Sequence, residues 1–580
     1  MSTPLKYYSE SSDLMNFQKY IKTVPAIAIC LVVLLAGFIL YFILKYGVDV
    51  PYMDQWEYVG FFDHLSKGTL SFGELFKQQN EYRQFFPNVI YVALGWITHW
   101  NVRYEMIVIF LLACLVSFNI FKLASHTLNV QPWQKWTLFF IANLFIFSPG
   151  QYENWLFGVQ IEYFLPIACI TSAMVIIYSE MNPRVKLNLS MLLAIISTYS
   201  SINGFVIWLV LIPLFYFSGK NTAYFRKESV ISTWLLGTVI TLIIYFIDYH
   251  KPIHHPSLTI VFTDPILALQ YFLASMGNPL RIVHSLNMII LFGGILLTGF
   301  IGLVIYIFWH YKDKKLMSQS MVWLMLAVYS LLTAGMILFG RLGYGLEQSL
   351  SSRYTSFTLF LVVAVIYLVP IILINLAEKI RFNGISKAAF AIIVTLFIVS
   401  RGIAYSYSVK ELKTYHSNIQ HAKAGLLYIS YIPPQECVNK IYPANFIQLQ
   451  IKAKILDSLG YLRPGLIKTN VLQDFESTEN KSLDYGSFDK LQSINDSIYV
   501  ASGYSCNPKT HDPSDAIILS YEDGKGKSLL LAFDNKDTLY WTKKFSIQQV
   551  SIKPIVINAW ALDANTGKAT KLKGSHSINK

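Results

Sequence analysis

VPAIAICLVVLLAGFILYFIL, residues 24–44, runs almost directly into YGVDVPYMDQWEYVGFF, residues 46–62. The first stretch carries no charged side chain and, at about 1.5 Å rise per residue, is long enough to cross a bilayer's hydrocarbon core. The second sets Asp49, Asp54 and Glu57 among the rings of Tyr46, Tyr52, Trp56, Tyr58, Phe61 and Phe62. The polar leader MSTPLKYYSESSDLMNFQKYIKT precedes the apolar run without a small-residue cleavage site, so residues 24–44 read as a retained helix and not a signal peptide.

Working outward, the chain has 580 residues, 54% hydrophobic and only 14% charged, far more apolar than a soluble protein of this length needs to be. The reading is a polytopic membrane protein. Its apolar segments stop near residue 407, and the remainder is polar, with short alternating runs that predict strands. The net charge of +13 does not point to nucleic acid, because many of the basic residues sit in short loops between apolar runs, where they orient a membrane protein.

Runs that span, or nearly span, fall at about 24–44, 104–124, 136–148, 160–178, 187–201, 204–218, 230–248, 285–309, 320–340, 355–375 and 386–406, predicting about 11 transmembrane helices. The segment 87–100, PNVIYVALGWITHW, is short, and sidedness tests it. If it does not cross, the inner loops carry Lys122 and Lys135; Arg184 and Lys186; Lys220, Arg226 and Lys227; Lys312, Lys314 and Lys315; and Lys379, Arg381 and Lys387. Counting it as a crossing would export all of them, so 87–100 reads as a helix lying in, or re-entering from, the outer leaflet. The expectation is a cytoplasmic segment 1–23, a membrane domain 24–407 with a long first outer loop 45–103, and an outer C-terminal domain 408–580. Cys30, Cys114 and Cys169 read as packing residues, whereas a Cys437–Cys506 bridge is one of two alternatives if the outside is oxidising.

The outer loops then collect the charged residues. NEYRQFFPN, 80–88, contributes Glu81 and Arg83; SPGQYENWLFGVQ, 148–160, contributes Tyr152, Glu153, Asn154 and Trp155; GRLGYGLEQSLSSRYTSF, 340–357, contributes Arg341, Glu347 and Arg353. Arg281 in NPLRIVH is a further cation. An arginine at a lipid boundary is costly without an anionic partner, and its planar fork suits phosphate; the plain alternative is that these arginines snorkel or pair with Glu347 and Glu81. Asp54 has its own plain alternative as an N-cap for the following helix. Trp56, Tyr58, Tyr82, Tyr152 and Trp155 are able to stack on sugar rings, although aromatic residues gather at membrane interfaces in any case. HKPIHHP, 250–256, reads as an outer loop and not a zinc site.

The layout of a first membrane helix, an outer loop with an aspartate in VDVPYMDQW, juxtamembrane helices and an outer C-terminal domain resembles the GT-C superfamily of membrane glycosyltransferases. Within it, MDQW, NEYRQFFP and SPGQYENWLFGVQ look like motifs of bacterial members, nearest to the O-antigen-modifying glucosyltransferases of bacteria and their phages. That resemblance covers about residues 20–407. It implies a bacterial inner-membrane enzyme, N-terminus cytoplasmic and C-terminal domain periplasmic. It also implies an inverting transfer of a sugar, with glucose the analogy, from a polyprenyl-phosphate donor to a surface glycan such as lipopolysaccharide O-antigen. Asp54 would be the general base, with Asp49 the fallback and Glu153 sharing the base role or positioning the acceptor. Arg83, Arg341, Arg353 and Arg281 would hold the donor phosphate. Trp56, Glu81, Tyr152, Asn154 and Trp155 would contact sugar. No cofactor is expected, and a divalent cation held by carboxylates stays open, since some members use one.

Residues 408–460 read as helical, and strands are expected after about 495, in SIYVASGY, DAIILSYEDG, KSLLLAFDN and the run ending at Leu572, predicting an α+β domain that contains a β-sandwich resembling carbohydrate-binding modules. The rival from another class is a transporter or flippase of lipid-linked sugars, which would place its charges near the bilayer midplane and show repeated halves.

Overall fold

The computed structural model describes residues 7–217, 227–250, 256–377, 384–432, 441–442, 445–477, 484–508, 511–534, 538–548, 550 and 554–579. Cys437, most of the 250–256 histidine cluster, and Lys220, Arg226, Lys379 and Arg381 of the basic loops lie outside them. Chain contacts sort the residues into two units: 1–45, 72–90 and 105–412 in the first, and 46–71, 91–104 and 413–580 in the second.

The longer helices are α1 (Tyr7–Tyr46), α2 (Phe85–Thr98), α3 (Arg103–Thr127), α4 (Pro132–Ile146), α5 (Ile161–Tyr178), α6 (Pro183–Thr198), α7 (Val206–Phe217), α8 (Lys227–Phe246), α9 (Pro265–Gly277), α10 (Leu286–Trp309), α11 (Lys314–Arg341), α12 (Thr355–Ala377), α13 (Gly384–Leu427) and α14 (Phe446–Ser458). Among the described residues, seven helical stretches are long and apolar enough to cross a membrane: Val24–Tyr46, Arg103–Thr127, Gly158–Tyr178, Glu228–Phe246, Leu286–Trp309, Lys314–Tyr344 and Ser352–Leu376. The expected eleven crossings are therefore not shown. The runs at 136–148, 187–201 and 204–218 lie on α4, α6 and α7, of 15, 16 and 12 residues. At about 1.5 Å per residue α4 and α6 fall short of a core about 30 Å thick, while α7 runs up to residues outside the described set. The run at 386–406 begins α13, where the side chains of 384–394 and 396 are outside the described set.

Burial ranks the spanning stretches. Gly158–Tyr178 is 72% and Ser352–Leu376 67% buried, against 17% for both Glu228–Phe246 and Leu286–Trp309. Mean hydropathy does not follow that order, being 1.8 and 3.0 for the two most buried stretches and 1.9 and 2.6 for the two least, so burial and not hydropathy separates central helices from peripheral ones. α11 packs along α12, with Trp323 stacked on Tyr367 at 4.1 Å and the Ser330 hydroxyl donating to the Phe357 carbonyl at 2.9 Å. α9 meets α10 through glycines: a Cβ on Gly277 would lie 1.9 Å from the Ile289 carbonyl oxygen, and one on Gly293 1.9 Å from that of Leu273. Two backbones this close tolerate no side chain between them.

In the second unit one seven-stranded sheet has the order β4-β3-β6-β7-β1-β2-β5. The strands are β1 (Gly486–Ser493), β2 (Ile498–Ser505), β3 (Ala516–Glu522), β4 (Ser528–Asp534), β5 (Tyr540–Ser546), β6 (Ile555–Asp563) and β7 (Lys568–Ile578). Neighbours are antiparallel except β1 and β7, which run parallel. The end strands β4 and β5 approach each other, so the sheet curls like a barrel around Phe488, Tyr499, Leu519, Trp541, Phe545 and Ile557; two stacked sheets, as a sandwich requires, are not shown. Strand structure begins at Gly486, earlier than the expected 495 or so, because a register shift between Phe488 and Lys490 breaks the alternation that would announce β1.

The same unit contains the acidic first loop. The Met53 N–H donates to the Ile441 carbonyl at 2.7 Å, Lys452 pairs with Glu57 at 2.7 Å, and Phe62 packs on Trp100 at 4.4 Å and edge-on to Tyr461 at 5.2 Å. The rings crowd residues 46–62 because the segment helps build a core with the chain's last third. Cys506 is buried, its thiol donating to the Asn507 carbonyl at 3.7 Å.

Candidate functional site

In the first unit, the loop after α4 and the loop between α11 and α12 are knitted together. Helix ends leave carbonyls unpaired. Gln151 answers this for α4, its amide donating to the carbonyls of Phe145 and Ile146 at 3.1 Å each, and the Trp155 indole N–H donates to the Ser148 carbonyl at 2.8 Å. That fold-back presents Glu153 to residues 351–353. Glu153 Oε2 accepts from the hydroxyls of Ser351 at 2.9 Å and Ser352 at 2.8 Å and from the Arg353 N–H at 3.0 Å. The Asn154 amide adds a bond to the Arg353 carbonyl at 3.2 Å.

These contacts fix the backbone on which Arg353 stands, while Arg341 ends α11 one short loop earlier. Arg341 Nη2 pairs with Glu81 Oε1 at 2.6 Å, so Glu81, of the two carboxylates considered, is its partner. The two guanidinium groups lie within electrostatic range of each other, sharing Tyr163 and Tyr354 as neighbours, and Tyr82 joins them beside Arg341 and Glu81. Arg353 also lies over the Tyr354 ring at 5.2 Å, and its Nε has no hydrogen-bond partner among the described residues. Burial holds the Tyr82 phenol well above its ordinary range, with nearby Tyr163 and Glu81 adding to the shift, so it remains a neutral donor. Glu162, buried in α5, accepts from the Gln84 amide. Two cations and several phenols face three carboxylates here, of which Glu81 is paired with Arg341, Glu153 with the 351–353 loop and Glu162 with Gln84, so the N–H groups these leave over are the ones open to an oxyanion.

Arg83 is engaged differently. Its Nε donates to the Tyr245 carbonyl at 2.6 Å, Nη1 to Phe76 at 3.2 Å and Nη2 to Ile247, and the guanidinium lies over the Phe76 ring at 5.3 Å. It thus caps the C-terminal end of α8. Arg281 pairs with Glu411 at 2.6 Å, and His284 contacts the other Glu411 oxygen at 2.5 Å. Tyr152 lies between this group and Glu153; its phenol is pushed up to about 12, chiefly by burial and then by Glu153 and Glu411. Trp155 is fully buried, packing on Phe164 at 5.5 Å, and Asn154 is buried too, so both serve the loop's internal structure as they stand.

In the second unit, Asp54 is exposed within a short 3-10 turn, Met53–Tyr58. The following helix, Val59–Ser66, is preceded by Tyr58, so Asp54 is not its N-cap. Trp56 is fully buried. Asp49 is half-buried and accepts from the Val102 N–H at 3.1 Å; burial raises its carboxyl, opposed by Lys423 and that hydrogen bond.

Tyr163, Tyr271, Tyr354 and Glu162 were not singled out by sequence. Glu162 alone had a signal, an acidic residue inside the apolar run IEYFLPIACI. No cluster of three or more His, Cys, Asp or Glu side chains suited to a metal ion occurs among the described residues. Comparison with family models, curated proteins and solved structures returns no match.

Proposed function

We propose that this chain is a GT-C-type glycosyltransferase of the bacterial inner membrane, moving a sugar from a polyprenyl-phosphate donor to a surface glycan such as lipopolysaccharide O-antigen. The observation that carries the reading is the Arg341–Arg353 pair at the junction of two apolar helices, where buried cations are expensive: Glu81 answers Arg341 through one nitrogen, while Arg353 has no direct carboxylate pair and its Nε has no hydrogen-bond partner among the described residues. A lipid phosphate brings both the anion and the apolar tail that such a place suits. Orientation is taken from loop charge, with the N-terminus cytoplasmic and the C-terminal unit periplasmic.

In this mechanism a general base takes the proton of a sugar hydroxyl, and Asp54, exposed in the second unit, is the residue the resemblance gives for that role. The hydroxyl oxygen attacks the anomeric carbon from the side opposite the phosphate. The anomeric carbon–oxygen bond breaks, its electron pair stays on the phosphate oxygen, and Arg341 and Arg353 stabilise the charge developing there. The product has inverted configuration. Glu153 acts through Arg353, because three donors already hold the carboxylate oxygen that faces the loop.

The test is sugar transfer by the purified full chain from polyprenyl-phosphate glucose, and from other polyprenyl-phosphate sugars, to acceptor glycan. Wild type should transfer with one of these donors, and Asp54→Asn should lose about 10²- to 10⁴-fold in rate, the usual worth of a general base. Full activity in Asp54→Asn removes the base assignment. No transfer by wild type with any donor, together with movement of lipid-linked sugar across vesicles, replaces the enzyme with a transporter.

A further inference from the structure

α9 is held unusually firmly, and it carries a buried hydroxyl that its surroundings leave unused. The helix is locked in register against α10 by the Gly277 and Gly293 contacts. Just past its end, the Asn278 amide donates to Thr355 Oγ1 at 3.1 Å and reaches the Ser351 carbonyl at 3.4 Å, tying α9 to the loop that supports Arg353. The Arg401 guanidinium donates to the Pro279 and Leu280 carbonyls at 2.8 and 2.7 Å, fixing the same turn. α9 also packs against α11, α12 and the 346–350 turn.

Tyr271 lies in the middle of this helix, fully buried, with Tyr354, Arg341 and Arg353 as its charged and polar neighbours. Its hydroxyl has no hydrogen-bond partner among the described residues, and neither has Arg353 Nε. Burying a hydroxyl without a partner is costly; the buried hydroxyls of Tyr329, Tyr367 and Tyr428 share that condition, but of these four only Tyr271 has both Arg341 and Arg353 as neighbours, where an anion held by the arginines would accept its hydrogen. Phenylalanine would fill the same volume without that cost.

We infer that the Tyr271 hydroxyl is a ligand-binding group of the Arg341–Arg353 site, donating a hydrogen bond to an oxygen of the bound phosphate alongside Arg353 Nε. The inference rests on the reading of that site as a phosphate site and adds a neutral donor to its two cations. The phenol keeps its proton beside an anion, so it supplies direction without adding charge. Tyr271 is then a determinant of selectivity for a tetrahedral oxyanion over an uncharged lipid alcohol.

The test uses the full chain in detergent micelles with farnesyl phosphate as probe and farnesol as its uncharged counterpart. Wild type should bind the phosphate well above the alcohol. Tyr271→Phe should weaken farnesyl phosphate by about 10- to 100-fold, the worth of one hydrogen bond to a charged group, and leave farnesol unchanged. Without ligand, its unfolding temperature should equal or exceed that of wild type, because no existing bond is lost. Tyr271→Met, apolar but differently shaped, should show the same selective loss. Wild-type discrimination between the two probes with undiminished phosphate binding in Tyr271→Phe overturns the role of Tyr271 and leaves the arginine site standing. Equal binding of phosphate and alcohol by wild type overturns the phosphate reading itself, and this inference with it.

Discussion

The Arg353 N–H donates to Glu153 Oε2 at 3.0 Å across 200 residues of sequence. The carboxylate therefore does not neutralise the guanidinium by direct pairing; it holds the main chain from which Arg353 projects. This positions a cation while leaving its fork available.

That relationship predicts different outcomes for two substitutions. Glu153→Ala removes the acceptor of three hydrogen bonds and strands the Arg353 N–H, which costs about 1–3 kcal/mol when buried. Thermal unfolding in detergent should fall accordingly, and farnesyl phosphate binding should weaken with it. Glu153→Gln keeps an oxygen able to accept from the same N–H and should recover most of the stability. Ordinary binding and ordinary stability in Glu153→Ala would remove the positioning role.

Arg83 yields the opposite pattern. Its guanidinium serves the carbonyls of Phe76, Tyr245 and Ile247, so Arg83→Met leaves helix-end acceptors without their charged donor. A loss of about 3 kcal/mol in stability is expected, from several bonds worth about 1 kcal/mol or more each. Farnesyl phosphate affinity of the protein that remains folded should stay within about twofold of wild type. Selective loss of phosphate binding with normal stability would instead return Arg83 to the anion site.

Arg341 and Lys are not equivalent at this place. Arg341 spends Nη2 on Glu81 and retains further N–H groups of the same planar fork for a second acceptor. Arg341→Gln should abolish measurable phosphate binding and transfer. Arg341→Lys should keep the charge but recover only a small part of either, because a single ammonium cannot hold carboxylate and phosphate in one fixed geometry. Full recovery by lysine would mean that charge alone matters there, measured by the same binding titration.

Sequence alone separated these arginines poorly, for a physical reason. Arg83, Arg341 and Arg353 all look like cations on the side that loop charge disfavours. What divides them is whether carbonyls from a distant helix end arrive to occupy them, and the carbonyls on Arg83 come from residues 162 and 164 positions away. Glu81 was legible only as one of two carboxylates, with Glu347, able to pair with these arginines, because the distance that selects it spans 260 residues of sequence. Long apolar runs announced the spanning helices, but α4 and α6 show that apolar character does not fix length. β2, β3, β4 and β6 were visible through their turns and apolar residues, whereas β5, YWTKKFS, alternates with lysine and threonine and reads as surface. The joining of residues 46–71 and 91–104 to the C-terminal unit depends on contacts such as Met53 to Ile441, which no local pattern encodes.

The second unit should carry a pH-dependent stability of identifiable origin. Asp515 is pushed up to about 6, chiefly by burial, even though its carboxylate accepts from the Ala564 N–H at 2.7 Å and the Gln420 amide at 3.1 Å. Asp563 adds to the rise and Lys423 opposes it. An unfolded aspartate titrates near about 3.9, so the folded value is the higher of the two, and the folded state binds the proton more tightly. The stabilisation from this group is therefore fully present below about pH 4 and lost as pH rises through about 6. Asp515→Asn keeps an oxygen for the Ala564 and Gln420 donors but carries no charge to desolvate. Its unfolding midpoint relative to wild type should rise from about pH 4 and level off once pH has passed about 6, followed in the full chain by amide hydrogen exchange of β3 and β6, which flank the site. A difference between variant and wild type that does not change with pH over that interval would show that the Asp515 carboxyl does not titrate there.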